Sequence, residues 1–376
     1  MILILDNSLE SIDKLIYHSN IFFKMQTTSE FIRENKWKII LTLIIGGFII
    51  FIISFAVGIQ DILNVLSKSN PAIIVVALLL EIFIIGMWTE RWSLILDVIV
   101  RSPGFNKLFV MMFTSLFGNN LTPGAAGGEP MRAYLLSKFE GISFDLAFVS
   151  AGADRVFEFF PFVLVSAFAV YMISTWNIPF WSVIFISVLI IIIMAFFGLL
   201  IYVGVKREIA ERLLLSLARS LLPLFIKLTK KEVSLSYVTE QINYYVGRFS
   251  TGFSTVLQDK KMFTLGLSIS FIMWGTDMFR MYLCFVAVGY FPPIIPMIII
   301  YTIGILITIL PTIPGALGLR EATMVALFLV VGVPADVVIA ASLIDRLISY
   351  LMPTIVGAIT TVYYGKLLNR MDAGSS

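Results

Sequence analysis

The chain has 376 residues, 59% of them hydrophobic and only 14% charged, with a formal net charge of +3 and a mean hydropathy of +0.96. That balance excludes a soluble globule and places the chain among membrane proteins. A single cysteine, Cys284, excludes an intrachain disulfide, and a single histidine, His18, leaves almost no material for a zinc site or a His-based triad, so no metal, no cofactor and no enzyme is expected.

Residues 1–36 open on Met1-Ile-Leu-Ile-Leu5, interrupted by Asp6 and Glu10 too soon for a signal-peptide core, and read as a cytoplasmic lead-in. Runs of about 20 apolar residues predict six spanning helices, near 37–57, 71–97, 144–172, 179–205, 261–290 and 334–364. Two apolar pairs do not fit that length: 107–118 with 129–139, and 297–310 with 319–331. Each limb reaches roughly 16–21 Å against a hydrocarbon core of about 30 Å, so both pairs are expected to be re-entrant hairpins. Their turns are Asn119-Asn-Leu-Thr-Pro-Gly-Ala-Ala-Gly-Gly128 and Pro311-Thr-Ile-Pro-Gly-Ala-Leu-Gly318. Segment 206–260 is basic and amphipathic, suited to lying on an anionic leaflet or to packing as a cytoplasmic helical hairpin. Residues 365–376 read as a cytoplasmic tail.

Residues 123–155 recur at 314–346 without a gap. Pro123-Gly124-Ala125-x-Gly127, Leu136, Gly141, Asp145 and Asp154-Arg155 become Pro314-Gly315-Ala316-x-Gly318, Leu327, Gly332, Asp336 and Asp345-Arg346. Glycines, a proline and charges that recur in so apolar a chain mark an internal duplication, about 71–172 and 261–364, and in membrane proteins such repeats build transporters. Segment 206–261 carries ten Lys or Arg against five acids, and the flanks Arg33/Lys36/Lys38, Arg91/Arg101/Lys107 and Lys366/Arg370 are also basic. Six spans with two non-crossing hairpins put all of these, and both termini, on the cytoplasmic side. Three spans then separate the hairpins, which makes the repeat inverted. The expected fold is an all-α polytopic membrane protein of about six spanning helices plus two re-entrant helical hairpins in an inverted-topology repeat.

Broken backbone at membrane depth is tolerated only in protein or beside a wet cavity, so both turns belong in the interior. Pro130 resembles a first helical residue and Gly318 precedes a helix, so each second limb is expected to point its positive dipole end inward, where anions bind. Asn119, Asn120, Gly124, Gly127, Gly315 and Gly318 are the candidate backbone and amide ligands there. Arg132, Arg155, Arg280, Arg320 and Arg346 are candidates to hold a phosphate by bidentate contacts. Glu129, Asp154, Glu158, Asp277, Glu321 and Asp345 are candidates to tune those arginines or to carry a proton, with Glu81 and Asp97 weaker. The competing reading is structural. Pseudo-symmetry suggests crossed pairs, Asp154 with Arg346 and Asp345 with Arg155, while Arg155/Glu158 and Asp277/Arg280 are i,i+3 neighbours that can neutralise each other. Asp145 and Asp336 follow Ser143 and Pro334 and suit helix capping.

The string Gly118-Asn-Asn-Leu-Thr-Pro-Gly-Ala-Ala-Gly-Gly-Glu-Pro-Met-Arg-Ala-Tyr-Leu-Leu136, with Asp154-Arg-Val-Phe-Glu158, Pro314-Gly-Ala-Leu-Gly-Leu-Arg-Glu321, Asp345-Arg346 and Pro353, resembles the flippase-like membrane domain of bifunctional lysyl-phosphatidylglycerol synthases and its stand-alone relatives. The likeness covers about 37–364. It implies movement of an anionic or aminoacylated phospholipid, or of a polyprenyl-phosphate carrier, between leaflets of the cell membrane. The soluble synthase domain is expected to be absent. Expected partners are membrane lipids and not nucleic acid, with homo-oligomerisation open. The alternatives are a membrane-embedded lipid-modifying transferase and a secondary transporter of a small soluble anion. Without a Gly-x4-Gly-Lys-Ser/Thr motif, ATP is not expected to drive the movement directly.

The topology has a direct test. With cysteines placed singly in a Cys284-substituted background, positions in 206–261 are expected to react with an impermeant thiol reagent only from the cytoplasm, and positions in 291–296 only from outside. Labelling of 206–261 from outside refutes the inverted arrangement.

Overall fold

The computed structural model describes residue 55 and residues 58–176, 180–229, 235–309 and 314–374. Within these residues every regular element is helical. Helices α1 (Ile59–Ser67) and α2 (Pro71–Ile99) lead to α3 (Phe105–Leu121), a one-turn stretch at Pro123–Ala125, α4 (Gly128–Phe139), α5 (Phe144–Ser174) and α6 (Phe180–Val205). Then come α7 (Arg207–Thr229), α8 (Leu235–Gln258), α9 (Lys260–Ala287), α10 (Ile294–Ile309), a second one-turn stretch at Pro314–Ala316, α11 (Leu319–Val330), α12 (Ala335–Arg346) and α13 (Met352–Gly374). The described residues up to 360 belong to one compact unit and those from 361 onward to a second. Of that second unit the described part is the last stretch of α13, where Tyr363 and Tyr364 lie ring to ring. The expected first span, 37–57, and the lead-in fall outside the described residues, apart from residue 55.

Four helices among the described residues are long and apolar enough to cross a membrane: Pro71–Ile99, Phe144–Ser174, Ile186–Val205 within α6, and Lys260–Ala287. They match four of the predicted spans within a few residues. Their exposed faces are apolar, with Val75, Leu79 and Phe83 on α2 and Ile191, Ile192 and Phe196 on α6, as lipid as solvent requires. Start signals are local. The Asn70 side chain accepts from Ala72 N–H (3.0 Å) ahead of Pro71, and Asp259 accepts from Met262 N–H (2.7 Å). Asp145 is different: it lies in the first turn of α5 but pairs with Arg248 of α8 (2.5 Å) rather than capping its helix. Asp336 likewise sits in the first turn of α12, which has no side-chain cap.

The expected span at 334–364 is helical throughout, from Ala335 onward, but it is not regular. Between α12 and α13 the helix takes one wide turn at Leu347–Leu351, in which Met352 N–H reaches Leu347 C=O, while Arg346, Leu347 and Met352 keep right-handed helical backbone. Pro353 has no N–H to return to Ser349, so the ladder slips by one residue ahead of it. The amphipathic segment divides. Helix α8 packs on the bundle: Phe253 closes on Gly204, Gly252 on Val149, and Ser250 Oγ donates to Gly204 C=O (2.8 Å). Helix α7 leaves Leu213, Leu214 and Leu217 exposed.

The paired short helices are real elements. At about 1.5 Å per residue, α3 and α10 reach about 24–26 Å and α4 and α11 about 18 Å. Helix α3 is longer than expected because it starts two residues earlier and runs three residues further, taking 119–121 out of the turn, and α10 because it starts three residues earlier. Helix α4 begins at Gly128, so Pro130 is its third residue, not its first; this costs no bond, since the first four N–H groups lack helical partners anyway. Both turns repeat one unusual backbone: Gly124 (φ 67°) with Ala125 (φ 51°), and Gly315 (φ 63°) with Ala316 (φ 45°). Gly124 and Gly315 supply the left-handed conformation at no steric cost, whereas each alanine holds it under strain. Gly127 has an ordinary φ of −84° and is needed for space instead.

A Cβ on Gly127 would come within 2.6 Å of Gly118 O and 2.7 Å of the Thr122 side chain. Gly127→Ala is therefore expected to cost about 1–3 kcal/mol. Gly86→Ala, in the open face of α2 with nothing within 4 Å, is expected to be neutral or stabilising. Thermal unfolding in detergent compares the two, and equal melting shifts would refute the close approach of the limbs.

Candidate functional site

Helices α2 and α9 pack side by side and bring the repeats together. Arg91 of α2 donates to Ser270 of α9 (2.7 Å), and Arg280 of α9 faces Glu81 of α2 (3.1 Å). Because the residue number falls on one helix as it rises on the other, the two run antiparallel. Ile84, Ile269 and Met273 fill the seam between them. Each helix thus carries one buried arginine, and each arginine meets the partner helix ten residues from that helix's own arginine.

Around each arginine stands a similar cluster. In the first, Asp154 is fully buried and accepts from Arg91 Nε (2.6 Å), Arg132 Nη1 (2.9 Å) and Trp88 Nε1 (2.6 Å). In the second, Asp345 is fully buried and accepts from Arg280 Nη1 (2.5 Å) and Arg320 Nη2 (2.8 Å). One arginine comes from the long helix and one from the second limb, α4 or α11. An aromatic ring lies near the second in each case, Trp92 5.0 Å from Arg132 and Tyr301 4.9 Å from Arg320. Burial of these ions is tolerable because each carboxylate oxygen is matched by a guanidinium N–H.

The residue after each aspartate pairs with a glutamate of the second limb. Arg155 donates to Glu129 (2.7 Å), to Glu158 (3.2 Å) and to the Ala125 carbonyl in the turn (2.7 Å). Arg346 donates to Glu321 (2.6 Å) and lies 5.5 Å from the Tyr350 ring. Asp277 accepts from Arg280 Nη2 (2.5 Å), so every expected charged site residue is placed in one of two clusters, but the crossed pairing is wrong: Asp154 does not meet Arg346, nor Asp345 Arg155. Each aspartate finds its arginines inside its own repeat, because the second limb folds back against its own following helix before the repeats meet.

The two turns touch each other, and each also touches the first limb of the other repeat. A Cβ on Gly315 would collide with the Tyr350 ring. Asn120 Nδ2 donates to Thr354 Oγ1 (2.8 Å), and Tyr350 Oη donates to the Asn120 carbonyl (2.9 Å), tying the first turn to the second repeat. Several inward N–H groups are already used. Asn119 Oδ1 takes Gly128 N–H (2.7 Å), Thr122 Oγ1 takes Gly127 N–H (2.8 Å), and Glu321 Oε2 takes Gly318 N–H (2.7 Å). Buried guanidinium atoms without a hydrogen-bond partner among the described residues include Arg132 Nε, Arg320 Nε and Arg346 Nη2. A cavity of about 530 Å³ lies elsewhere, where the end of α2 meets the starts of α5 and α7 and the middle of α8, between Val98, Leu146, Arg207, Tyr244 and Arg248.

One participant escaped the sequence reading and another ranked too low in it. Arg91 counts there as a cytoplasmic flank, yet it is fully buried on Asp154. A second register of the duplication, offset by 189, pairs Arg91 with Arg280 and could have found it. Glu81 is weak in sequence but stands against Arg280. Asp97 is outside both clusters and accepts from Ser102 N–H (2.8 Å).

Asp154→Asn would leave two buried arginines sharing a neutral amide, and is expected to cost about 3–5 kcal/mol. Adding Arg346→Gln should restore nothing, since Arg346 belongs to Glu321. Lys107→Ala, which breaks an ion pair whose lysine is 62% exposed, should cost under about 1 kcal/mol. Denaturant or thermal unfolding ranks the three; recovery by Arg346→Gln would reinstate the crossed pairing.

Residues 39–357 match the family model described as the lysylphosphatidylglycerol synthase TM region. A UPF0104 membrane protein of Methanothermobacter thermautotrophicus is 47% identical over 337 residues, 90% of this chain and 96% of the relative. UPF0104 membrane proteins of Methanocaldococcus jannaschii (28% identical; 89% and 97% covered) and Pyrococcus horikoshii (27%; 87% and 98%) are also similar. With the buried Arg–Asp–Arg clusters and the duplicated Pro-Gly-Ala turns falling inside the matched region, the chain belongs to the lysylphosphatidylglycerol synthase TM-region (UPF0104) family of integral membrane proteins.

Proposed function

We propose that this protein moves an anionic phospholipid or a polyprenyl-phosphate-type lipid between leaflets, its headgroup phosphate held near mid-membrane between the two turns while its tails stay in lipid. On this reading α3–α4 and α10–α11 are re-entrant hairpins of an inverted repeat, dipping from the cytoplasm and from the exterior, with both termini and segment 206–261 cytoplasmic. The antiparallel course of α2 and α9, each carrying an equivalent arginine, supports the inversion, as does the shortness of the limbs.

The observation that carries the reading is the meeting of the two strained turns, each with an arginine behind it. Arg91, Arg132, Arg280 and Arg320 are fixed on buried aspartates. Arg155 is different: its side chain is 26% exposed, and Glu129 and Glu158 hold it on partly open carboxylates. Arg346, 8% exposed, keeps one Nη atom unpaired. A phosphate can exchange with those glutamates for Arg155 in a bidentate contact, and the glutamates then set how readily the arginine is released. Asn119 and Glu321 already cap the second limbs, so guanidinium groups rather than helix ends supply the cationic contacts.

Translocation of fluorescent phosphatidylglycerol in reconstituted vesicles tests this, read as access of an impermeant quencher to the inner-leaflet label. Arg155→Gln is expected to slow translocation about tenfold or more, the loss of one charge-assisted contact of about 1.5–3 kcal/mol, while unfolding temperature stays near wild type. Full translocation by Arg155→Gln/Arg346→Gln would sink the site. Recovery of a chemically altered lipid by mass spectrometry would favour a transferase instead.

A further inference from the structure

Outside the second limbs, the two clusters differ in charge at three pairs of matching positions: Glu81 against Ser270 and Trp88 against Asp277 at the offset of 189, and Glu158 against Ser349 at the offset of 191. Ten residues from Arg280 on α9 stands Ser270, which meets Arg91; ten residues from Arg91 on α2 stands Glu81, which meets Arg280. One repeat presents a hydroxyl where the other presents a carboxyl. Together the three exchanges leave the second cluster with one more acid than the first. In the first cluster Arg91, Arg132 and Arg155 face Asp154, Glu129 and Glu158, and the charges balance. In the second, Arg346 is matched by Glu321, which leaves Arg280 and Arg320 to three carboxylates, Asp345, Asp277 and Glu81.

Of those three acids Glu81 is the least engaged. Asp345 takes both arginines, and Asp277 accepts from Arg280 Nη2 at 2.5 Å. Glu81, 8% exposed, has Arg280 Nε at 3.1 Å, but that N–H, itself buried, is not aligned on it and makes no hydrogen bond. No hydrogen bond to Glu81 forms among the described residues. The charged groups facing it are Arg280 and Asp277 of α9 and Asp345 of α12, with Arg320 of α11 and Tyr301 of α10 reached through them. On the α5 side, Asp154 is held by Trp88 and Arg91, about 10–15 Å along α2, and Arg155 and Glu158 pair with each other in that cluster. An acid in excess of its cations within an apolar interior is neutralised by taking up a proton.

The geometry points to Glu81 as a proton-binding site built into one repeat only: it carries a proton while Arg280 is divided between Asp277 and Asp345, and ionises when Arg280 turns to it. The proton passes from bulk water to a Glu81 carboxylate oxygen, and the cluster's net charge goes from one negative to zero. Ser270 offers no such group, so protonation acts on the second cluster alone and biases the pseudo-symmetric pair of repeats. Its use to drive lipid movement rests on the transporter reading above; the protonation itself does not.

Infrared spectra of the purified protein in lipid nanodiscs, titrated with pH, read the carbonyl band of a protonated carboxylic acid directly. Wild type is expected to show such a band, lost as pH rises. Glu81→Gln should abolish it, and Glu81→Asp should keep it at a shifted position. Asp277→Asn, which removes the excess acid, should ionise Glu81 and lose the band at neutral pH although Glu81 is present. A band unchanged in Glu81→Gln, a band at wild-type strength in Asp277→Asn, or no band in wild type at any pH where it stays folded would each overturn the proposal. Because these spectra need no translocation, a failed lipid assay leaves their outcome standing.

Discussion

An ionised side chain in a hydrocarbon interior has nowhere to put its charge except on another side chain. That constraint organises this protein. Asp154 and Asp345 are fully buried, and each is met by two guanidinium groups from separate helices. Removing either partner would strand a charge in a medium that cannot solvate it, so the long helix, the second limb and the helix after it are bound into one unit within each repeat. Apolar packing then fills the seams. The largest cluster of buried side chains joins Met281 and Phe285 of α9 to Ile300 of α10, Phe328 of α11 and Ile344 of α12.

Lipid offers little hydrophobic driving force between helices, so close approach and polar contact carry more of the specificity than they would in water. Both features concentrate at the turns. Gly127 lies against Gly118, Gly128 against Ser115 and Asn119, and Gly357 against the backbone of Phe113. The strained alanines at 125 and 316 persist because the surrounding contacts fix them: the carbonyl of Ala125 is held by Arg155, and Ala316 is fully buried. Strain, buried charge and the junction of the two copies coincide there.

Duplication gives similar copies, and function lies in their differences. The acids and arginines of the second limbs are ordered Glu129 then Arg132 in one copy, Arg320 then Glu321 in the other, yet both copies satisfy the same pairings. Side chains at i and i+3, or at neighbouring positions on a short helix, can reach the same partners by different rotamers, so the network tolerates the exchange. The substitution of a carboxyl for a hydroxyl at 81 and 270 is not of that kind, since it changes the charge.

The sequence by itself determined the class, the duplication, the long apolar helices and the identity of most ionised groups in the site. These follow from composition and periodicity, which lipid enforces residue by residue, and from glycines and charges too costly in such a chain to recur by chance. Only the tertiary structure decided who pairs with whom. The crossed pairs gave way to pairs within each repeat, Arg91 moved from the cytoplasmic flank to the core, and the last expected span took a wide turn at Leu347–Leu351. Periodicity fixes which face of a helix a residue occupies; which helix comes to lie against that face depends on how limbs of 12 to 17 residues fold back, and nothing in the local sequence encodes that.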